Sequence, residues 1–252
     1  MPVTRTPWEH LRSLTAARIA LGRAGSSLPT HEVLAFELAH ARAKDAVYTV
    51  LDETRLAQAL SQGKEVLRVR SQAESRETYL TRPDLGRLLT PEDETSLHLK
   101  RGTFDLAIVV ADGLSAVAVN RHAGPLLEVL EPLLEPYTLA PPVLAQGARV
   151  ALADTIGDAL GAKMSLILIG ERPGLSTPES LGAYLTFAPR PGRRDSERNC
   201  VSNIHPGGLS YRAAAHLLAL LIREALRREL TGVGLKIEGA LTLPPEAPRL
   251  GE

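Results

Sequence analysis

The most suggestive chemical groups lie where an aliphatic run meets a short charged loop. Residues 166–169 read L-I-L-I and are followed at once by G-E-R-P-G, residues 170–174. Between these glycines, the Glu171 carboxylate can accept hydrogen bonds from the amide or hydroxyl donors of a ligand. Arg172 can pair with Glu171 or bind a phosphate. The alternative is a solvated turn in which a Glu171–Arg172 ion pair contributes little.

The single thiol, Cys200, lies in R-N-C-V-S-N-I-H, residues 198–205. A nucleophilic thiolate needs a histidine base and an orienting group, and the nearness of His205 in sequence does not fix its place in space. Burial as a small apolar side chain is the commoner fate of a free cysteine. Arginines around the nearby Pro-Gly turn either hold a phosphate, meet the acidic face of a partner, or are simply solvated: Arg190, Arg193, Arg194 and Arg198.

A third candidate, Asp112-Gly113-Leu114-Ser115, follows another aliphatic run. Glycine there permits a close backbone approach, so the segment can form the wall of a pocket. The alternative is a plain strand-to-helix turn with Asp112 or Ser115 as the N-cap. The chain contains neither G-x-S-x-G nor G-x-x-x-x-G-K-[ST], and Gly232-Val233-Gly234 follows a predicted helix instead of opening one. The sequence therefore supports neither a nucleophile elbow nor a phosphate-binding loop.

The amino-acid composition excludes several classes of protein. Lys+Arg and Asp+Glu are equal at 29 each, which argues against nucleic-acid or anionic-membrane binding. The sequence has no apolar run long enough to cross a membrane, and its first ten residues lack the apolar core of a secretory signal. One cysteine fits a reducing cytosol, and the histidines show no metal-binding spacing, so we expect no metal site.

The elements that must position these groups follow from the hydrophobic pattern. Residues 104–111 and 163–169 are predicted strands, each linked to a predicted helix, and 183–188 is a further predicted strand. Ser210 is expected to cap a long helix with an apolar stripe that includes Leu218. Near-continuous aliphatic strands alternating with helices predict an α/β fold: a mainly parallel, Rossmann-like sheet with helices on both faces. Ligands bind such sheets at the carboxyl ends of the strands, where Asp112 and Glu171 lie.

The N-terminal part looks different. A capping box at Thr6 predicts a helix that ends at Gly22, and a second helix is expected to begin at Thr30 with Leu34, Leu38 and Ala41 on one face. Residues 1–100 are therefore predicted to be a helical region without a clear sheet, followed by an α/β domain over residues 101–252.

Several collinear blocks resemble the small subunit of ethanolamine ammonia-lyase. They include V-A-D-G-L-S-A (110–116), R-V-A-L-A-D-T-I-G-D-A-L-G-A-K (149–163), L-I-G-E-R-P-G-L (168–175), N-C-V-S-N-I-H-P-G-G (199–208) and Y-L-T-R-P-D-L-G-R (79–87). The resemblance implies a subunit of an adenosylcobalamin-dependent lyase that converts ethanolamine to acetaldehyde and ammonia. It also implies that the catalytic residues lie on a large barrel subunit and that cobalamin contacts on this chain fall on Val150, Glu171 and Cys200.

The resemblance further implies a cytoplasmic protein, with packaging in a bacterial microcompartment as the alternative location. D-x-H-x-x-G, by which another class of cobalamin proteins supplies a histidine to cobalt, is absent, so no histidine is proposed as a cobalt ligand. We therefore expect a non-catalytic subunit that contacts adenosylcobalamin and binds a large subunit. The alternatives are a stand-alone α/β thiol hydrolase that uses Cys200 and a ligand-binding regulatory protein.

Overall fold

The computed structural model describes residues 3–15, 17–61 and 63–236. Six strands form one sheet in the order β1-β3-β2-β4-β5-β6. The strands are β1 Leu67–Arg70, β2 Phe104–Ala111, β3 Val143–Gln146, β4 Ala162–Gly170, β5 Leu181–Phe187 and β6 Arg198–Ile204. The helices are α1 Thr30–Tyr48, α2 Glu53–Ser61, α3 Arg76–Thr81, α4 Pro91–His98, α5 Ala116–Leu130, α6 Leu152–Leu160 and α7 Tyr211–Arg228.

Both faces of the sheet are covered, which explains the continuous aliphatic strands. Alternate residues of β2 point to opposite sides: Ile108 packs in a core with α2, α5 and α7, whereas Val109 packs in a second core with α4 and α6. A strand buried on both faces has no position for an exposed polar side chain. The predicted α/β class with helices on both faces is confirmed.

The direction of the strands differs from the prediction at one side of the sheet, in two of its six strands. β1, β3, β2 and β4 are parallel, but β5 runs antiparallel to β4 and β6 antiparallel to β5. The ten residues between Gly170 and Leu181 are too few for a crossover helix, so β5 must return alongside β4. The expected mainly parallel, Rossmann-like sheet is therefore found only in part.

The N-terminal part also differs from its prediction. The expected helix from Thr6 to Gly22 is wrong, because only residues Glu9–Leu14 form a short 3-10 helix. The helix from Thr30 is confirmed as α1. Residues 1–100 were expected to lack a clear sheet, yet β1 lies there and pairs with β3 as an edge strand. The boundary at residue 100 remains a prediction.

Local signals fix the ends of the helices nearest the strand ends. The side chain of Ser115 accepts a hydrogen bond from the backbone N–H of Ala118 at the start of α5, and Ser210 caps α7 in the same way through Ala213. Gly161 ends α6 in the left-handed conformation, with φ of 75°, and leads directly into β4. These caps set where α5 begins after β2 and where β4 begins after α6.

Candidate functional site

A cavity of about 450 Å³ lies at the carboxyl ends of the parallel strands. Loops after β2, β3 and β4 and one residue of β5 form most of its wall. Val150 and Glu171, two of the three predicted cofactor contacts, both line it, and so do two residues of the Asp112–Ser115 segment. The complete lining is Tyr79, Gly113, Leu114, Arg149, Val150, Ile169, Gly170, Glu171, Arg172 and Tyr184.

One oxygen of the Glu171 carboxylate is held by hydrogen bonds within the chain, and the other can accept a hydrogen bond from a ligand. Its Oε2 accepts hydrogen bonds from the Ser180 hydroxyl and, at 3.3 Å, from the backbone N–H of Asn203. Its Oε1 accepts no hydrogen bond from any described residue. A Cβ on Gly182 would lie 3.0 Å from both Cγ and Oε1 of Glu171, so glycine provides the space for this side chain. Within the described part of the chain, Arg172 forms no ion pair with Glu171, so the predicted alternative of a paired turn does not apply.

Cys200 lies beside this cavity, not in its wall. Cys200 lies in β6 directly opposite Tyr184 of β5, and paired residues of antiparallel strands place their side chains on the same face of the sheet. The structure thus brings Cys200 next to Tyr184, which lines the cavity together with Val150 and Glu171. Cys200 is exposed on this edge strand, so the expected burial as a small apolar side chain is not found. Partial desolvation raises the pKa of its thiol, and the negative charge of Glu171 acts in the same direction.

Tyr184 connects the predicted contacts, and sequence analysis missed it. Burial raises the pKa of its hydroxyl, and the neighbouring Cys200 and Glu171 raise it further. The side chain therefore stays neutral and presents a flat aromatic surface between the Glu171 loop and β6. Sequence alone gave no signal for it, because its position depends on the pairing of β5 with both β4 and β6.

The loop that carries Val150 is anchored by a half-buried aspartate, Asp112. The carboxylate of Asp112 accepts hydrogen bonds from the backbone N–H groups of Gly113 at 2.9 Å, Gly147 at 3.0 Å and Ala148 at 3.2 Å. Arg76 Nη1 lies 3.8 Å from Oδ2 of Asp112 and donates to the Gly113 carbonyl at 2.7 Å. Burial raises the pKa of Asp112, although these donors and Arg76 favour its charged form. Asp112 is thus a positioning residue, and the N-cap is Ser115.

A stacked group supports the other side of the same loop. Two guanidinium groups lie over the Tyr79 ring, with distances from the ring centroid to Cζ of 4.2 Å for Arg149 and 4.8 Å for Arg76. Its hydroxyl donates to the Ala148 carbonyl at 3.1 Å, and burial raises its pKa to about 12. Arg149 in turn donates to the Tyr79 carbonyl at 2.9 Å. The block that contains Tyr79 therefore fixes the residues that flank Val150.

The close approach of two loops depends on glycine. A Cβ on Gly113, where φ is +58°, would lie 2.3 Å from the Gly170 carbonyl oxygen, and a Cβ on Gly170 would lie 2.1 Å from that of Ser115. The backbone N–H of Leu114 donates to the Gly170 carbonyl at 2.9 Å. Backbone contact at this distance joins the ends of β2 and β4 into one rigid rim.

The geometry does not favour catalysis by Cys200. His205 uses Nε2 to contact the Asn203 side chain at 2.9 Å, and its Nδ1 accepts from the backbone N–H of Gly207 at 3.1 Å. Both ring nitrogens are therefore engaged locally. A raised thiol pKa also disfavours the thiolate that a nucleophile requires.

The arginines near the Pro-Gly turn are partly neutralised by carboxylates of the same chain. Arg193 pairs with Glu197, and the buried Arg198 pairs with Asp154 of α6 and, at 2.9 Å, with Asp195. Arg198 thereby holds β6 against α6, and neither arginine is free to bind an external anion. Among the described residues, no group of three or more His, Cys, Asp or Glu side chains has an arrangement suited to a metal ion. None of the described helices is long and apolar enough to cross a membrane.

Comparison with known proteins gives a consistent result. The family model described as "Ethanolamine ammonia-lyase light chain (EutC)" matches residues 5–236. A protein of Azotobacter vinelandii named ethanolamine ammonia-lyase small subunit is 58% identical over 244 residues, which cover 94% of this chain and 90% of the relative. Relatives with the same name from Pseudomonas aeruginosa and Xanthomonas campestris are 55% and 51% identical, with 97% of this chain covered in each case and 93% and 95% of the relatives.

Proposed function

Because this chain belongs to the ethanolamine ammonia-lyase light-chain family, we propose that it completes an adenosylcobalamin site at the interface with the large subunit. In this proposal the chain carries no catalytic residue. Val150, Glu171 and Cys200 contact the cofactor, and the large subunit supplies the remaining half of the site and the residues that act on ethanolamine. In this proposal the protein acts in the cytoplasm, and packaging of the assembled enzyme in a microcompartment is the alternative location.

The observation that carries the proposal is the unpaired oxygen of Glu171 at the edge of an open, partly apolar cavity. The rim of a corrin ring carries amide side chains whose N–H groups can donate to Glu171 Oε1. Val150, Leu114 and Ile169 offer apolar surface of the kind that packs against a broad ring. The residues present therefore fit the group that the family implies.

The roles of this chain are binding, orientation and exclusion of water. Adenosylcobalamin, when bound, supplies the radical chemistry, and the protein determines where the reactive part of the cofactor lies. Glu171 cannot rotate freely, because Ser180 and Asn203 hold its Oε2. The loop with Val150 is fixed by Asp112. A pre-organised wall of this kind loses little conformational entropy when a ligand binds.

The test begins with co-purification of the full chain with the large subunit of an ethanolamine ammonia-lyase, followed by an absorption spectrum for bound corrinoid. Glu171→Ala should then weaken cobalamin retention in the complex, measured by equilibrium dialysis. One hydrogen bond to a charged acceptor contributes about 1.5–3 kcal/mol, which corresponds to roughly 10- to 100-fold in affinity.

Glu128→Ala is the matched control, because Glu128 is exposed on α5 and does not line the cavity. It should retain cobalamin as the unmodified chain does. Equal retention by the Glu171→Ala and Glu128→Ala complexes would contradict the assigned role of Glu171. A complex that forms without any corrinoid spectrum would contradict the proposed function as a whole.

A further inference from the structure

The N-terminal arm, which we define as residues 3–15 and 17–50, buries very little of its own apolar surface. Of the fourteen large apolar side chains that are exposed among the described residues, eleven lie in this arm. Only Pro29, Glu32 and Ala46 of the arm are buried. So many exposed apolar side chains in one segment, on a chain whose other apolar residues are well packed, indicate an interaction surface.

Helix α1 shows the same feature in detail. Its residues Ala39, Ala43 and Ala46 are buried or half-buried against the rest of the chain. Leu34 and Leu38, which share a face by their i, i+4 spacing, are 58% and 52% exposed. The apolar stripe that the sequence places on one face of this helix is thus left uncovered by the chain itself.

The arm borders the candidate site on two sides. Arg18 donates to the Leu175 carbonyl at 3.5 Å, in the loop that follows Glu171. At the other side, Arg76 donates through Nε to the Val47 carbonyl at 2.6 Å and through Nη1 to the carbonyl of Gly113, a residue of the cavity wall. A partner that covers the open side of the cavity therefore also meets the arm.

A groove of about 900 Å³ runs between the arm and the loop 175–179. Its wall contains Leu38 and Ala35, the ion pairs Arg12–Glu32 and Arg121–Glu179, and the carboxylate of Asp45. Arg18 and Arg42 also line it. Neither arginine forms an ion pair with a carboxylate in the part of the chain that the structure describes. Among the described residues, the groove thus holds two unpaired arginines and one unpaired carboxylate beside its apolar side chains. This excess of positive charge fits a segment that carries both apolar and acidic side chains.

We propose that the N-terminal arm is the surface on which the large subunit docks, with an apolar, acidic segment of that subunit in the groove beside Leu38 and Arg42. The proposal rests on the proposed function in one respect, since it takes the large subunit as the partner. It adds the location of the interface and the chemistry of the segment that occupies it.

The test is calorimetric titration of the full chain into purified large subunit. Leu34→Glu and Leu38→Glu should each weaken binding about tenfold or more, because a charge would be buried against apolar surface. Arg42→Glu should weaken it by reversing the charge in the groove. Leu99→Glu is the matched control, since Leu99 is 82% exposed and lies close before β2, at the opposite end of the sheet from the cavity. It should bind within about twofold of the unmodified chain.

Circular dichroism establishes that each variant is folded, as expected for substitutions at exposed positions. Leu34→Glu and Leu38→Glu chains that bind as tightly as the Leu99→Glu chain would overturn the docking proposal while leaving the proposed function intact. Arm-dependent binding without a corrinoid spectrum would support docking and refute the proposed function. Self-association that Leu34→Glu abolishes, together with no binding of the large subunit, would identify a second copy of this chain as the occupant and overturn the proposal.

Discussion

Replacing Asp112 by alanine should destabilise the chain by about 3 kcal/mol. The carboxylate accepts three backbone hydrogen bonds, from Gly113, Gly147 and Ala148. Each buried N–H left without a partner costs about 1–3 kcal/mol, so complete loss of all three gives an upper range of roughly 3–9 kcal/mol. Two effects reduce this figure. The loop with Gly147 is half-buried and can reach water, and the variant no longer has to desolvate a carboxylate, which is the cost that raises the pKa of Asp112.

Urea denaturation measures this difference directly. With a denaturant slope of about 2–3 kcal/mol per M, the midpoint of Asp112→Ala should fall by roughly 1–1.5 M. Asp84→Ala is the control. Like Asp112, Asp84 accepts more than one hydrogen bond, but both of its hydrogen bonds come from the Arg82 side chain and the carboxylate lies exposed at the surface. Its midpoint should not move. An Asp112→Ala midpoint equal to that of Asp84→Ala would refute the view that Asp112 anchors the loop carrying Val150.

Three further changes probe the core, the thiol and the buried ion pair. Leu218→Asp should abolish soluble expression, because Leu218 is fully buried in α7, whereas Arg223→Asp on the exposed side of that helix should express normally. Since partial desolvation raises the pKa of the Cys200 thiol, its alkylation by iodoacetamide should reach half-maximal rate at a higher pH than that of free cysteine, and an equal or lower midpoint would contradict this. Arg198→Met should cost about 3–5 kcal/mol in urea unfolding by leaving the buried Asp154 unpaired, and adding Asp154→Leu should recover most of that loss. A double variant no more stable than the single one would argue against an uncompensated charge.

The strands that the sequence predicted well are those that are buried on both faces of the sheet. β2 and β4 are buried on both faces over most of their length, so each contains an apolar run, residues 106–111 and 166–169, that local pattern identifies. β1 reads L-R-V-R and β6 reads R-N-C-V-S-N-I. Both are edge strands, and their exposed positions carry polar or charged side chains that resemble a loop. The place of β1 in the sheet follows from its pairing with β3, which lies far away in sequence, and that of β6 from its pairing with the preceding strand β5.

The candidate site shows the same division between local and long-range information. Glu171 and Val150 follow parallel strands, and the rule that loops gather at the carboxyl ends of such strands is enough to predict that they converge. Tyr184 lies inside an antiparallel strand, and Tyr79 belongs to a short helix from the N-terminal part. Their contribution depends on how distant segments pack, which no local pattern specifies.

Two features of this chain are incomplete at the same end of the sheet: the Glu171 Oε1 atom has no donor among the described residues, and the apolar arm has no cover. Arg76 joins them physically through its hydrogen bonds to Val47 and Gly113. If one large subunit satisfies both, cofactor binding and docking are linked, and each must strengthen the other by the same factor. Leu34 does not line the cavity, yet Leu34→Glu should then reduce corrinoid retention together with docking. Weakened docking with unchanged retention per complex would mean that the arm and the cavity act independently.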